Sequence, residues 1–135
     1  YIPDFLIPGE HPILVEIKPA TTAEEYRAPI PKIVAGIGDR WNHDVLILGA
    51  SAVAGLGDYP SAGLAVDFLH DRTDWNASRA WWVHCSVCGT AGVAIEGQDG
   101  LARPCGHTDV HQVLSAEAVT GLWKSAGNLV QWRAA

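Results

Sequence analysis

Three stretches of the chain predict a mixed α/β fold with a small added lobe. Residues 1–20 (YIPDFLIPGEHPILVEIKPA) place two short apolar runs on either side of Pro8-Gly9-Glu10-His11-Pro12, the punctuation of a β-hairpin. Residues 21–49 carry a helical pattern and then a short buried strand, DVLILG, an order in which the last strand can lie parallel in the sheet after a crossover helix. Residues 85–105 hold all three cysteines of the chain in a 21-residue window.

The hairpin is the stretch with the most chemistry. With a turn centred on Glu10, paired residue numbers sum to 20, so Asp4 faces Glu16. Side chains alternate along a strand, so Lys18 joins Glu16 on the same face. A bulge would shift this register. Two carboxylates and an ammonium therefore converge on a hairpin that is otherwise Ile, Leu, Val and Phe. Carboxylates are hard oxygen ligands suited to Mg²⁺ or Mn²⁺. Such a cation stabilises charge on phosphoryl oxygens and acidifies water, and an adjacent lysine can hold or help deprotonate that water. The bland alternative is an exposed hairpin face with a cross-strand Glu–Lys pair, contributing ~0.2–1 kcal/mol.

Pro3-Asp4 followed by Glu16-Ile17-Lys18 resembles the PD-(D/E)XK signature of metal-dependent nucleases. The local form, Tyr-x-Pro-Asp-Phe-Leu and then Glu-Ile-Lys-Pro, is similar to the TnsA-like transposon endonuclease subunits and related phage proteins. The resemblance covers residues 1–50. It implies a restriction-endonuclease-like mixed sheet, with Asp4 and Glu16 binding the divalent metal and Lys18 assisting the attacking water. It also implies a DNA substrate and a bacterial or phage-infected cytoplasm. Members of that family carry a helix with another acidic ligand before this hairpin. The chain has no Met and begins inside the expected strand, so further residues are expected before Tyr1. A degenerate, inactive nuclease fold is the remaining possibility.

Length and composition bound these readings. A chain of 135 residues makes one domain, or one compact domain with a small appendage. A hydrophobic content of 48% with six Trp suffices for a core. No apolar run approaches the ~20 residues of a membrane span, and no signal-peptide pattern is present. The net charge of −6 argues against a generic nucleic-acid binder. Lys18, Arg27, Lys32 and Arg40 nevertheless fall close together and can make one face locally basic.

In chain order, Thr21-Thr22-Ala23-Glu24-Glu25 contains two overlapping capping-box patterns, and a short helix is expected to start there. Pro29 and Pro31 interrupt it. Ile30, Ile33, Val34 and Ile37 then repeat at helical spacing. Residues 49–63 are Gly- and Ala-rich and read as a loop or lid. Leu64–Leu69 reads as a strand whose Asp67 is either a further acidic ligand or a carboxylate facing water. Residues 71–78 read as polar loop, and 80–83 as a strand with Trp81 or Trp82 packed into the core.

The cysteine cluster reads His84-Cys85-Ser86-Val87-Cys88-Gly89, then Cys105-Gly106-His107. Cys-x-x-Cys-Gly is a knuckle pattern, and a second pair after an intervening hairpin completes a ribbon. Three thiolates and an imidazole make a closed tetrahedral zinc site of Cys85, Cys88, Cys105 and His107. His111 or His84 could replace His107. Three buried free thiols, or a redox Cys-x-x-Cys pair, are the alternatives. An odd cysteine count argues against a disulfide framework.

Ser115 is the expected N-cap of a last helix over 116–126. Gly127-Asn128 is read as its stop and residues 129–132 as an extended end. The expected organisation is thus a nuclease-like core over 1–70 and a zinc-ribbon-like lobe with the C-terminal helix over 71–135. Two functions follow. One is a metal-dependent endonuclease acting on DNA. The other is a non-enzymatic, zinc-stabilised adaptor for DNA or protein. A protein partner or a homo-oligomer fits either, and a membrane fits neither.

Overall fold

The computed structural model describes residues 3–8, 12–37, 44–49, 56, 61–68, 75–96, 101–102, 105–108 and 110–130. The order is β1 (Phe5–Ile7), β2 (Ile13–Ile17), α1 (Ala23–Arg27), α2 (Ile30–Ile37), β3 (Val45–Leu48), β4 (Ser61–Phe68), β5 (Trp75–Cys85), β6 (Ala91–Ile95), β7 (Leu101–Ala102), β8 (His111–Val113) and α3 (Ala116–Val130). The architecture is mixed α/β and dominated by one curled sheet. Its strands run β1-β2-β3-β4-β5-β6-β7, with β8 pairing β5.

The hairpin forms in the register expected. Phe5 pairs Val15, Leu6 pairs Leu14 and Ile7 pairs Ile13, each pair summing to 20. The α1–α2 segment carries the chain over the sheet, and β3 returns parallel to β2, Glu16 beside Ile47. A parallel neighbour requires such a crossover. From β3 onward the sheet is antiparallel.

Apolar residues on two faces of the same strands explain why β2 and β3 read as continuous hydrophobic runs. Leu14, Val45, Ile47, Leu64 and Val66 face the helices and pack with Tyr26, Ile30, Ile33 and Ile37. Ile13, Val15, Leu46, Leu48, Ala65, Ala80, Val93 and Ile95 make a second cluster on the other face.

The helical crossover owes its start to the cap. The Thr22 side chain accepts from the Glu25 amide while the Glu25 carboxylate accepts from the Thr22 amide. Of the two overlapping boxes, only this one forms. Thr21 instead donates its amide and hydroxyl to Glu25 Oε2, at 2.7 and 2.9 Å. These three donors hold the Glu25 carboxyl below the usual carboxylate range, the Thr21 amide contributing most. One close approach fixes the end of β3. A Cβ on Gly49 would lie 1.7 Å from the Tyr26 hydroxyl and 2.7 Å from the Ala20 carbonyl, so only glycine fits beneath the ring.

Several element expectations need correction. Residues 75–78 are not loop but the first part of the 11-residue β5, because Trp75, Asn76, Ala77 and Ser78 pair with β4. β4 starts at Ser61, earlier than expected, with a register irregularity between Ser61 and Gly63. Most of the lid expected over 49–63 lies outside the described residues. Helix α3 continues through Gly127-Asn128 to Val130. A helical glycine costs ~1 kcal/mol relative to alanine but does not force a stop. Trp81 and Trp82 are both half-buried.

The expected boundary at residue 70 falls between β4 and β5, which pair from Ser61–Trp81 to Phe68–Trp75, so the sheet is continuous across it. Beyond β4, one edge of β5 passes to β8, which pairs at Val83, His84 and Cys85, while β6 pairs along the other edge. The Ser115 hydroxyl caps α3 by accepting from the Ala118 amide at 3.2 Å. Val119, Leu122 and Trp123 of α3 approach Trp82, Ala91 and Leu114 around an apolar cavity of about 170 Å³. No helix among the described residues is long and apolar enough to cross a membrane.

Candidate functional site

The cysteine cluster forms where β5 ends. Cys85 is the last residue of β5 and is fully buried, and the chain then turns through 86–88. The turn is held by backbone bonds from the Gly89 amide to the Cys85 carbonyl (2.8 Å) and from the Cys85 amide to the Thr90 carbonyl (2.9 Å). Gly89 and Gly106, one after each cysteine turn, have φ of 71° and 70°. This is the left-handed region that L side chains avoid. Both glycines open the turn so that Cys88 and His107 fold back toward Cys85.

The second arm is tied to the first by strand pairing. Ser86 donates its amide (2.8 Å) and its hydroxyl (2.9 Å) to the Val110 carbonyl, and His111 sits across from Cys85 in the β5–β8 ladder.

The result is a group of four, Cys85, Cys88, Cys105 and His107, whose ligand atoms all lie within 4.8 Å of one another. Cys85 Sγ is 3.5 Å from His107 Nδ1. Metal–ligand bonds of about 2.0–2.3 Å place tetrahedral ligand atoms ~3.4–3.8 Å apart, so the cluster is within small side-chain rotations of a metal-binding geometry. All three thiols are free rather than bridged. The Cys₃His group could therefore hold a metal ion, and it consists of the four residues selected from the sequence.

The crowding of the three thiols sets their electrostatics. Cys88 Sγ lies 3.1 Å from the Thr90 hydroxyl. That hydroxyl and the Thr90 amide bring the Cys88 thiol down to about 6, with smaller help from Cys85 and His107. Cys105 goes the other way. The His107 amide pulls its thiol down, but burial and the neighbouring Cys85 and Cys88 sulfurs outweigh that and the net shift is upward. A dication at the centre would reverse the second effect, because it favours every thiolate at once.

The two alternative imidazoles occupy distinct places. His84 precedes Cys85 in β5 and so projects from the other face of the strand. His111 reaches the cluster, with Nε2 3.6 Å from Cys105 Sγ.

The hairpin group lies elsewhere on the same sheet. Asp4 directly precedes β1, and its amide bonds the Val15 carbonyl at 3.1 Å, one residue off the register that would set it across from Glu16, so the expected Asp4–Glu16 pairing needs correction: the ladder ends at Phe5–Val15. Asp4 Oδ2 accepts from the Ile17 amide at 2.7 Å. Glu16 is buried, 6% exposed, on the helix-covered face beside Leu14. Lys18 Nζ donates to Glu16 Oε1. The lysine is held at the end of β2 by its own amide, which bonds the Leu48 carbonyl at 2.9 Å. Lys18 also lines a shallow depression with Pro19, Ala20, Glu25, Ala28 and Pro29.

Asp67 does not join this group. It pairs Asn76 on β4, one residue beyond Val66, and so projects from the face opposite Val66 and Glu16. One charged pair was not singled out from the sequence. Arg79 grips Glu96 through Nε (3.0 Å) and Nη2, and donates Nη1 to the Leu56 carbonyl at 3.3 Å. Arg79 and Glu96 are 17 positions apart, and only the β5–β6 pairing brings them together.

No protein-family model, no curated protein and no solved structure matches this chain.

Proposed function

We propose that this chain is a metal-dependent, nuclease-type phosphodiesterase with a restriction-endonuclease-like core, braced by a structural zinc in the Cys₃His group. The observation that carries the hydrolytic reading is the tie between Asp4 and the strand that holds Glu16, with Lys18 following it. Asp4 bonds β2 through its amide to Val15 and through Oδ2 to the Ile17 amide, on either side of Glu16 in sequence, and Lys18 donates to Glu16. The hairpin–crossover–parallel-strand order of β1, β2, α1–α2 and β3 supports the same reading.

Two carboxylates are a hard donor set that fits Mg²⁺ or Mn²⁺ better than zinc. Such a cation would supply Lewis-acid stabilisation of a phosphoryl group. The chain's own residues have distinct tasks. Asp4 is oriented by the Ile17 amide through Oδ2, and its other carboxylate oxygen would be the one to meet a cation. Glu16 is anchored in a buried strand, so its carboxylate is pre-positioned. Lys18 offers a proton donor and a positive charge where the attacking water and the phosphoryl oxygens would meet.

Three thiolates and an imidazole are the soft and borderline donors that zinc takes in closed, four-coordinate sites. The zinc has no open position in this reading. Its role would be to tie the end of β5 to residues 105–107, ahead of β8.

Cleavage of plasmid and branched DNA with Mg²⁺ or Mn²⁺ tests the enzyme, comparing the chain with Lys18→Ala. Cleavage that the variant loses is the expected result. Cleavage that Lys18→Ala retains would remove the chemistry from the hairpin.

A second reading, a non-enzymatic adaptor on a nuclease-like scaffold, is favoured by one observation. Phe5 and Leu6 on the outermost strand are 60% and 54% exposed. An apolar sheet edge of this kind is suited to a protein partner. A folded, zinc-loaded chain that cleaves nothing yet loses partner binding on Phe5→Ser would favour it.

A further inference from the structure

The group that holds Cys85, Cys88 and Cys105 has two imidazoles within reach, and their surroundings differ in a way that assigns them separate tasks. His107 presents Nδ1 to Cys85 Sγ at 3.5 Å, and its ring is exposed. If Nδ1 binds a metal, the remaining Nε2–H can be satisfied by water. His111 presents Nε2 to Cys105 Sγ at 3.6 Å, and its Nδ1 is a buried atom with no hydrogen-bond partner among the described residues.

A metal-ligating histidine almost always donates its other ring N–H to a partner. Ligation through His111 Nε2 would force the proton onto Nδ1 and strand a buried donor. Donation from Nε2–H to sulfur has the opposite consequence. Nδ1 is then a lone pair, and an under-satisfied acceptor is the more tolerable buried group. Backbone pairing holds the ring in place for this. His111 stands across from Cys85 in the ladder, and Val110 is fixed by both bonds from Ser86.

We propose that His111 is a positioning residue of the metal centre, donating from Nε2 to the Cys105 thiolate, and that His107 supplies the fourth ligand. The assignment rests on the Cys₃His group binding metal. His111 stabilises the negative sulfur and restricts the Cys105 rotamer without touching the ion.

Cobalt(II) serves as the probe, because tetrahedral Co²⁺ reports its donor set in its ligand-field bands and its thiolates in charge-transfer absorption. The zinc-free full-length chain is titrated with Co²⁺ alone, and then with Zn²⁺ in competition, for wild type, His111→Phe, His111→Gln and His107→Ala. The expected result is that His111→Phe keeps the wild-type ligand-field pattern while its affinity falls on the order of 10–100-fold. His111→Gln, which retains an N–H donor, should recover part of that loss and cover the case in which the Phe variant does not fold. His107→Ala should shift the ligand-field bands as a water replaces nitrogen.

Altered bands in His111→Phe with unaltered bands in His107→Ala would overturn the assignment by making His111 the ligand. Unchanged affinity in both His111 variants would remove the positioning role. A wild-type chain that binds no Co²⁺ would instead defeat the metal reading itself, which separates the two failures.

Discussion

The amide of Ile17 donates to the carboxylate of Asp4 at 2.7 Å, so the acid before the first strand is clamped to the strand that carries Glu16 and Lys18. One oxygen of Asp4 is thus engaged by the backbone. Asp4→Asn keeps an acceptor for the Ile17 amide while removing the charge a cation needs. Asp4→Ala removes both. Amide exchange at Ile17 should stay slow in Asp4→Asn and quicken in Asp4→Ala, with a stability loss of about 0.5–1.5 kcal/mol in the latter. Mn²⁺ binding at the hairpin should be lost in both. Equal exchange in the two variants would show that the carboxylate does not hold β2.

Gly49 has no room for a side chain. Gly49→Ala would press a methyl group into the Tyr26 ring and the Ala20 carbonyl. The expected cost is at least the ~1–3 kcal/mol of overpacking, read by thermal unfolding. Adding Tyr26→Phe should recover only part of it, because the 2.7 Å approaches to Tyr26 Cζ and to the Ala20 carbonyl remain. Full recovery would mean that the hydroxyl is the whole obstacle.

Glu25 gives the crossover helices a definite pH response. Its carboxyl is lowered from 4.5 by the Thr21 and Thr22 donors. A depressed folded-state value stabilises above the unfolded value and is lost as pH falls through the folded one. The contribution is therefore complete above about pH 5 to 6 and fades through the acid range below 4.5. In Glu25→Gln this component of the acid dependence should vanish. Denaturant melts of the two proteins at pH 7 and in acid measure it, and parallel pH profiles would contradict the assignment.

The knuckle glycines test backbone conformation apart from packing. No heavy atom lies within 4 Å of a Cβ built on Gly89 or Gly106, so alanine meets strain and no clash. Each alanine variant should lose ~1–2 kcal/mol, and asparagine, which tolerates this region, should lose less. The losses should appear as weaker zinc binding, because the folded-back turn is what brings the ligands together.

The parts of this arrangement that a linear reading recovers are those written in short-range chemistry. The pairing of Phe5–Ile7 with Ile13–Val15 follows from the position of the Pro-Gly turn, α1 and α2 from a capping box and apolar spacing, and the grouping of Cys85, Cys88, Cys105 and His107 from two Cys-Gly steps. The parts it misses depend on partners far along the chain. Residues 75–78 are polar and look like loop, yet they are strand because β4 lies alongside. The three residues of β8 carry no periodicity of their own and form only against β5. Which of His107 and His111 would meet a metal turns on which ring nitrogen has a partner, which spacing alone does not encode. Asp67 looks like a candidate ligand in a strand, and only the alternation of β4 against β2 puts it on the wrong face.

Metal content is the decisive test of zinc binding by Cys85, Cys88, Cys105 and His107. The chain purified without chelators, and Cys88→Ser prepared alongside it, are analysed for zinc by elemental mass spectrometry. One zinc per wild-type chain is expected. Cys88→Ser should hold little or no zinc and be destabilised in β5, β6 and β8, with the hairpin carboxylates left intact. A wild-type chain that takes up no zinc from a stoichiometric solution, or a variant that keeps its full complement, would contradict it.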